Sequence, residues 1–480
     1  MNQEERARRQ SRRVIISEII MLLAVIATVC VLAFLVSGYW LNSDFKVERQ
    51  GLLQVSSIPT GADVAIDGES SWLQRTNTSK VLPAGEHTVV LTKDEYDSWS
   101  KTIKIKEGLL YGIHYPRLFL KERTKEKVSD VTATTFASVS PNRNRMLIAN
   151  ATTDWKLVNL DNNNPEFKSI DISKVFPSAS DNEDNKLFTG EIISADWDGN
   201  SEHILFKVKY GDNYEWIILD VRDPKNSVNI TRTFAANFDQ IKIYDNSAST
   251  LLAVRDGNLH KIDLSSRQIS AILVEKIHSF DHYESEIVFA ADYIPSSNSS
   301  SNKDDSSDST ETAPYYLGLV RLGDSDITTL SELTSPAKVT ISKFYDDKYI
   351  TTLTDTNLKL YRKDDFKEVL SADLSFSPAK MKVGRDGNFV IMNDGGRIAT
   401  LDMEAMATRE WQTTNPSFGW LDDNMIYSVA DGVLTVYDFD GQNQRQLSNN
   451  VSSQFPVTIT GDKWLYYFSD GSLIREIITK

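Results

Sequence analysis

The sequence predicts an all-β ectodomain, a small β-sandwich followed by a seven- or eight-bladed β-propeller, behind one N-terminal transmembrane α-helix. Three observations predict it. Ile19 to Val36 is an uncharged apolar run. Over residues 51–122, short alternating stretches are punctuated by Pro-x-Gly and Asp-Gly. From residue 125 to 480 a polar turn between two apolar strands recurs eight times, with a period of about forty residues.

The first element is the anchor. Residues 1–13 form a basic tail in which Arg6, Arg8, Arg9, Arg12 and Arg13 outnumber Glu4 and Glu5. Residues 14–40 follow as the spanning segment, long enough as a helix to cross a hydrocarbon core of roughly 30 Å. Tyr39 and Trp40 suit the headgroup level, and the arginines hold the N-terminus in the cytoplasm. The expectation is a single-pass protein of the cell membrane with its C-terminal bulk extracytoplasmic. A cleavable signal peptide shares this layout, with Val36-Ser37-Gly38 as its small-residue site, but the apolar run is longer than a signal core needs. Ser11-Arg12-Arg13 resembles a twin-arginine export signal, although arginines beside a span ordinarily set orientation. Cys30 follows Val29 rather than a small residue, which argues against a lipoprotein and for an apolar role inside the span.

Composition narrows the partners. The net charge is −15 although the first thirteen residues are basic, so the remainder is more acidic still. Nucleic acid is excluded as a partner, because no basic stripe is present to track a phosphate backbone. Cys30 is the only cysteine, so no intramolecular disulfide forms and core burial alone must hold the ectodomain.

Residues 41–50 read as a polar connector, and a β-module occupies residues 51–122. Its punctuation is Ser57-Ile58-Pro59-Thr60-Gly61-Ala62, then the Asp67-Gly68 hairpin, then Leu82 and Gly85 before His87 and Val89. At these residues the chain resembles the PEGA domain family. The resemblance implies a small β-sandwich of the kind found on prokaryotic surface proteins, and it brings no catalytic residues.

The repeats come next. Val139-Ser140-Pro141-Asn142 precedes Met146-Leu147-Ile148, and Ala195-Asp196-Trp197-Asp198-Gly199 precedes Ile204-Leu205-Phe206. Tyr244-Asp245-Asn246, Phe280-Asp281-His282, Phe344-Tyr345-Asp346-Asp347 and Val383 to Gly387 repeat the turn, as do Trp420 to Asp423 and Thr460-Gly461-Asp462. Several strands per unit at this period predict radially stacked blades, each burying the face of its neighbour. The turns resemble the TolB-type, WD-repeat-like propellers of cell envelopes, most closely at Ser140-Pro141-Asn142. The last unit, Pro456 to Lys480, has room for three strands, so Lys125–Ala137 is expected to supply the fourth and lock the ring. Ser296 to Ala313 is polar throughout except for its last residue and is expected to be a disordered insertion at a blade edge.

Chemistry is thinly represented. His278 and His282 have helical metal-ligand spacing but fall beside an expected strand and turn, with no third ligand in view. Asp181 to Asn185 alternates oxygen ligands like a calcium loop, yet Lys186 and Ile192 stand where such a loop needs glycine and glutamate. The aspartates ending repeat strands (Asp161, Asp220, Asp263, Asp402 and Asp438) read as caps that bond turn backbone. Trp155, Trp197, Trp216, Trp411, Trp420 and Trp464 sit on the repeat pattern, where packing is the ordinary role. Trp72, in the β-module's middle loop, is the one candidate for an exposed contact. No nucleophile elbow, zincin helix or phosphate loop is present, and no cofactor or metal is expected.

The expected function is therefore binding or scaffolding rather than catalysis. The ring rim and the β-module would recognise an envelope protein or a cell-wall glycan of a prokaryote. The alternative is a surface enzyme acting on envelope polysaccharide or peptide, with acidic residues meeting across the channel.

Overall fold

The computed structural model describes residues 18–30, 32, 39–41, 47–161, 164–176, 187–244, 248–292, 314–324, 326–412 and 418–480. The chain divides into two compact units, residues 1–121 and 122–480.

In the first unit, residues 18–30 are helical and carry exposed apolar side chains, among them Met21, Leu22, Leu23 and Val29. Among the described residues no helix is long and apolar enough to cross a membrane. Tyr39–Leu41 forms a strand, β1, paired antiparallel with the start of β2, Val47–Val55. This corrects two expectations: Tyr39 and Trp40 do not end a helix, and residues 47–50 are strand rather than connector. Charged residues such as Glu48 and Arg49 suggested a connector, but edge pairing accepts charge readily.

The rest of this unit is a two-sheet β-module. One sheet holds β1, β2 and β5 (Thr78–Pro83), with β8 (Leu110–Ile113) parallel to β2. The other runs β4 (Glu69–Arg75), β3 (Asp63–Ile66), β6 (Gly85–Thr92) and β7 (Trp99–Ile105). Strict alternation along β7 buries Trp99, Lys101, Ile103 and Ile105. Asp67 and Gly68 turn β3 into β4 with φ of 54° and 81°, the positive pair that a tight hairpin needs. The Asp67 carboxylate accepts from Thr88 N at 2.8 Å and pairs with His87 Nδ1 at 2.7 Å, which pins the hairpin to β6.

Among the described residues, the second unit holds eight four-stranded antiparallel sheets in a propeller-like ring. Sheets 1 to 7 span residues 134–171, 191–229, 240–269, 277–333, 338–373, 380–412 and 418–448. Sheet 8 takes three strands from residues 458–477, and its outer strand is β9, Lys125–Asp130, paired with Ser472–Ile477. The ring therefore closes by joining its two chain ends.

Apolar clusters join each sheet to the next. Trp155 and Phe176 of the sheet 1 region pack with Phe206 and Ile217 of sheet 2. Leu205 and Ile218 meet Leu251 and Ile262 of sheet 3, and the pattern continues through sheet 7. Sheet 7 meets sheet 8 through Ile459 N to Leu421 O at 3.4 Å, and Met146 and Val158 of sheet 1 meet Tyr466 and Phe468 of sheet 8.

Polar bonds reinforce the closing seam. The Glu476 carboxylate is 1% exposed and accepts from Arg123 Nε at 2.8 Å, Tyr467 OH at 3.1 Å and the Ser448 hydroxyl. Arg123 also donates to Leu447 O at 2.7 Å. Arg475 bonds Glu126 of β9 at 2.8 Å and lies over the Trp464 ring. Burial raises the Tyr467 hydroxyl to about 12.

Candidate functional site

Hydrogen bonds tie sheets 1 to 5 to one another around the ring axis, from their first strands except for Lys207, which reaches from the second strand of sheet 2. Trp197 Nε1 donates to Ser138 Oγ at 2.9 Å, Lys207 Nζ to Asp239 O at 3.2 Å, and Lys242 Nζ to Phe280 O at 2.9 Å. Ser279 Oγ donates to Ala337 O at 2.6 Å. The Asp281 carboxylate ties three sheets together, accepting from Lys242 at 2.9 Å and from Ile341 N at 3.3 Å.

Turn residues also tie sheet to sheet. Arg143 of sheet 1 grips Asp423 of sheet 7 with two bonds of 2.9 and 2.6 Å. Arg385 of sheet 6 donates to Pro141 O at 2.9 Å, and Thr460 Oγ1 to Arg143 O at 2.6 Å. Burial, and then the nearby Asp423 carboxylate, raise Asp386 above the usual carboxylate range.

A cavity of about 790 Å³ is walled by the first strands of sheets 2 to 6 and by Lys207 and Trp216 of sheet 2. Five lysines (Lys207, Lys242, Lys338, Lys380 and Lys382) face it against three aspartates (Asp196, Asp239 and Asp281). Lys207 and Lys242 are occupied as described, and Lys207 also lies 5.1 Å from the Trp216 ring. The side chains of Lys338, Lys380 and Lys382 make no hydrogen bond or ion pair among the described residues. Two further polar atoms on the wall are buried without a partner, the Thr340 hydroxyl and His282 Nδ1.

The expected site residues distribute as follows. His278 and His282 lie on one strand, Ile277–Tyr283, and turn to different partners: His278 to Asp292, His282 Nε2 to Tyr244 O at 3.1 Å. Among the described residues no group of three or more His, Cys, Asp or Glu side chains is placed to hold a metal ion. Asp181 to Asn185 and Ser296 to Ala313 lie outside the described residues, as does the Trp72 side chain; the backbone of Trp72 belongs to β4, not to a loop. Phe280-Asp281-His282, read from sequence as a turn, lies within the first strand of sheet 4.

Three of the five strand-ending aspartates bond turn backbone, whereas Asp438 Oδ2 accepts from the Asn443 side chain. Asp220 accepts from Arg222 N at 2.9 Å, Asp263 from Ser266 N at 2.8 Å, and Asp402 from Glu404 N at 2.9 Å. Of the repeat tryptophans, Trp155 and Trp216 are buried in the ring core, and Trp197 is half-buried beside the cavity. Sequence reading missed the lysines altogether. The one local signal was the alternation of Lys380 and Lys382 on a short first strand.

Residues 50–116 match the PEGA domain. The remainder of the chain lies beyond that match. Comparison with curated proteins finds no match. Among solved structures, an oligogalacturonate lyase from Vibrio parahaemolyticus is similar at 13% identity and a TM-score of 0.38, covering 59% of this chain and 88% of its own. Hsv2 of Kluyveromyces lactis is similar at 8% identity and a TM-score of 0.41, covering 68% and 99%. Likenesses this distant carry no argument about activity.

Proposed function

We propose that the protein is a membrane-anchored, extracytoplasmic binding and scaffold protein of a prokaryotic cell envelope. In this reading the run from Ile19 to Val36 is the anchor, the PEGA module serves as spacer or wall contact, and the ring of TolB-like repeats is the recognition platform. The exposed apolar side chains of residues 18–30 support the anchor, since they find no protein core to enter. The observation that carries the reading is the axial cavity: five sheets contribute to it, and it presents unpaired binding groups with no nucleophile–base pair among them. A rigid ring with such a basin suits recognition of a surface protein or glycan.

The test is affinity capture with the full chain in detergent, presented with envelope extract and with a panel of glycans. Enrichment of one protein or one glycan, recovered chemically intact, is the expected result. Cleavage of a captured polymer or peptide would replace this reading with the alternative of a surface enzyme.

A further inference from the structure

The cavity is chemically lopsided in a way that specifies its occupant. The chain carries a net charge of −15, yet this wall holds two more lysines than aspartates. Like charges gathered in one basin repel, so an excess of cations needs either loose counterions or a bound anion. Lys380 and Lys382 are exposed, Lys338 is half-buried, and none meets a carboxylate among the described residues. Thr340 adds a hydroxyl donor that is 6% exposed and unpartnered. A buried hydroxyl without a partner is costly in water-poor surroundings unless a ligand completes it.

An inorganic anion would need donors alone, but the wall also offers an acceptor. A carbonyl only accepts, so the bond from His282 Nε2 to Tyr244 O fixes the proton on Nε2. Nδ1 then holds a bare lone pair, buried and unpartnered. Burial lowers the pKa of His282, which keeps the ring neutral and Nδ1 an acceptor.

Resting on the reading of the ring as a recognition platform, we propose that the cavity binds a segment of an acidic saccharide. Lys338, Lys380, Lys382 and the Thr340 hydroxyl take its anionic group, and a sugar hydroxyl donates to His282 Nδ1. The anionic group is a carboxylate or a phosphate, both of which this donor set accepts. The half-buried Trp197 ring supplies an apolar surface beside it for sugar C–H groups.

The experiment is calorimetric titration of the full chain in detergent with a short oligoglucuronate, a sugar-phosphate oligomer, a neutral glucan of matched length and inorganic sulfate. Binding of one or both acidic oligomers, and not of the glucan, is expected, and which one binds identifies the anionic group. Lys380→Gln with Lys382→Gln should weaken that binding about tenfold or more, the worth of a charge-assisted hydrogen bond. Thr340→Val keeps the shape and removes the unpartnered hydroxyl, so it should weaken binding without lowering the melting temperature. Equal binding of neutral and acidic oligomers would overturn the proposal, as would wild-type affinity in the double lysine variant. Sulfate competing as well as the oligomers would reduce the site to an anion pocket and reject the saccharide. Failure here alongside capture of an intact envelope protein would leave the platform reading standing, whereas turnover of a polymer would remove that reading itself.

Discussion

At the closing seam, two arginines are matched: Arg123 holds the buried Glu476, and Arg475 holds Glu126 while lying over Trp464. In the axial cavity of the same ring, Lys338, Lys380 and Lys382 meet no carboxylate among the described residues. The arginines are planar and forked, Arg475 buried and Arg123 half-buried, whereas the lysines are flexible and stay within reach of water. The difference separates charge that holds the ring together from charge that is left available. Structural charge should show itself in stability and hardly in binding; available charge should do the reverse.

The strongest way to break this contrast is at the seam. Arg123→Ala leaves the buried Glu476 with only Lys125, 4.0 Å away, and should cost about 3 kcal/mol, read as a lower urea midpoint. A change within error would mean that β9 does not need its clasp, and the two regions would no longer differ. A smaller effect is expected where packing rather than charge is disturbed. Gly318 lies against Phe289, and a methyl added there would come 2.3 Å from the ring, so Gly318→Ala should cost about 1–3 kcal/mol by the same assay.

Charge pairing at sheet 2 gives a graded test through pH. His203 is 9% exposed, with Nδ1 2.8 Å from Asp198 and Nε2 3.6 Å from Asp220, while Arg222 opposes from the same edge. The hydrogen bond to Asp198 raises its pKa, with burial opposing. A raised imidazole pKa stabilises fully below the unfolded value of about 6.5 and loses that contribution as pH climbs through the folded value. The melting temperature should therefore fall between neutral and mildly alkaline pH, and His203→Gln should flatten that slope. An unchanged slope would show that the pair holds no structural charge. The smallest effect on stability is expected in the cavity, where Lys380→Gln and Lys382→Gln should leave the melting temperature unchanged or raise it by relieving repulsion. A marked fall would move these lysines into the structural class.

What the sequence shows of this molecule follows the range over which each feature is encoded. The Asp67-Gly68 hairpin is legible because two adjacent residues with positive φ specify it. The eight-sheet repeat is legible because each turn lies beside the apolar strands it joins. The closing strand could be expected from the missing fourth strand of the last unit, although only Lys125–Asp130 of the expected Lys125–Ala137 serves, because Thr134–Val139 begins sheet 1. Phe280-Asp281-His282 misled because aspartate caps turns in this ring and here instead bonds Lys242 from within a strand. The same misreading hid Asp281 and His282 as cavity residues. The lysines were out of reach for a different reason. They come from four separate sheets, and whether a lysine is paired depends on a carboxylate that can be scores of residues away, as Lys242 and Asp281 illustrate.

The account places the ring outside the membrane, where an envelope ligand can reach the cavity. Protease added to intact, sealed cells tests this most directly. The ring and PEGA module should be degraded from outside, leaving a short membrane-protected fragment that contains the basic N-terminus. A ring that survives in sealed cells, and is lost only after permeabilisation, would contradict the account.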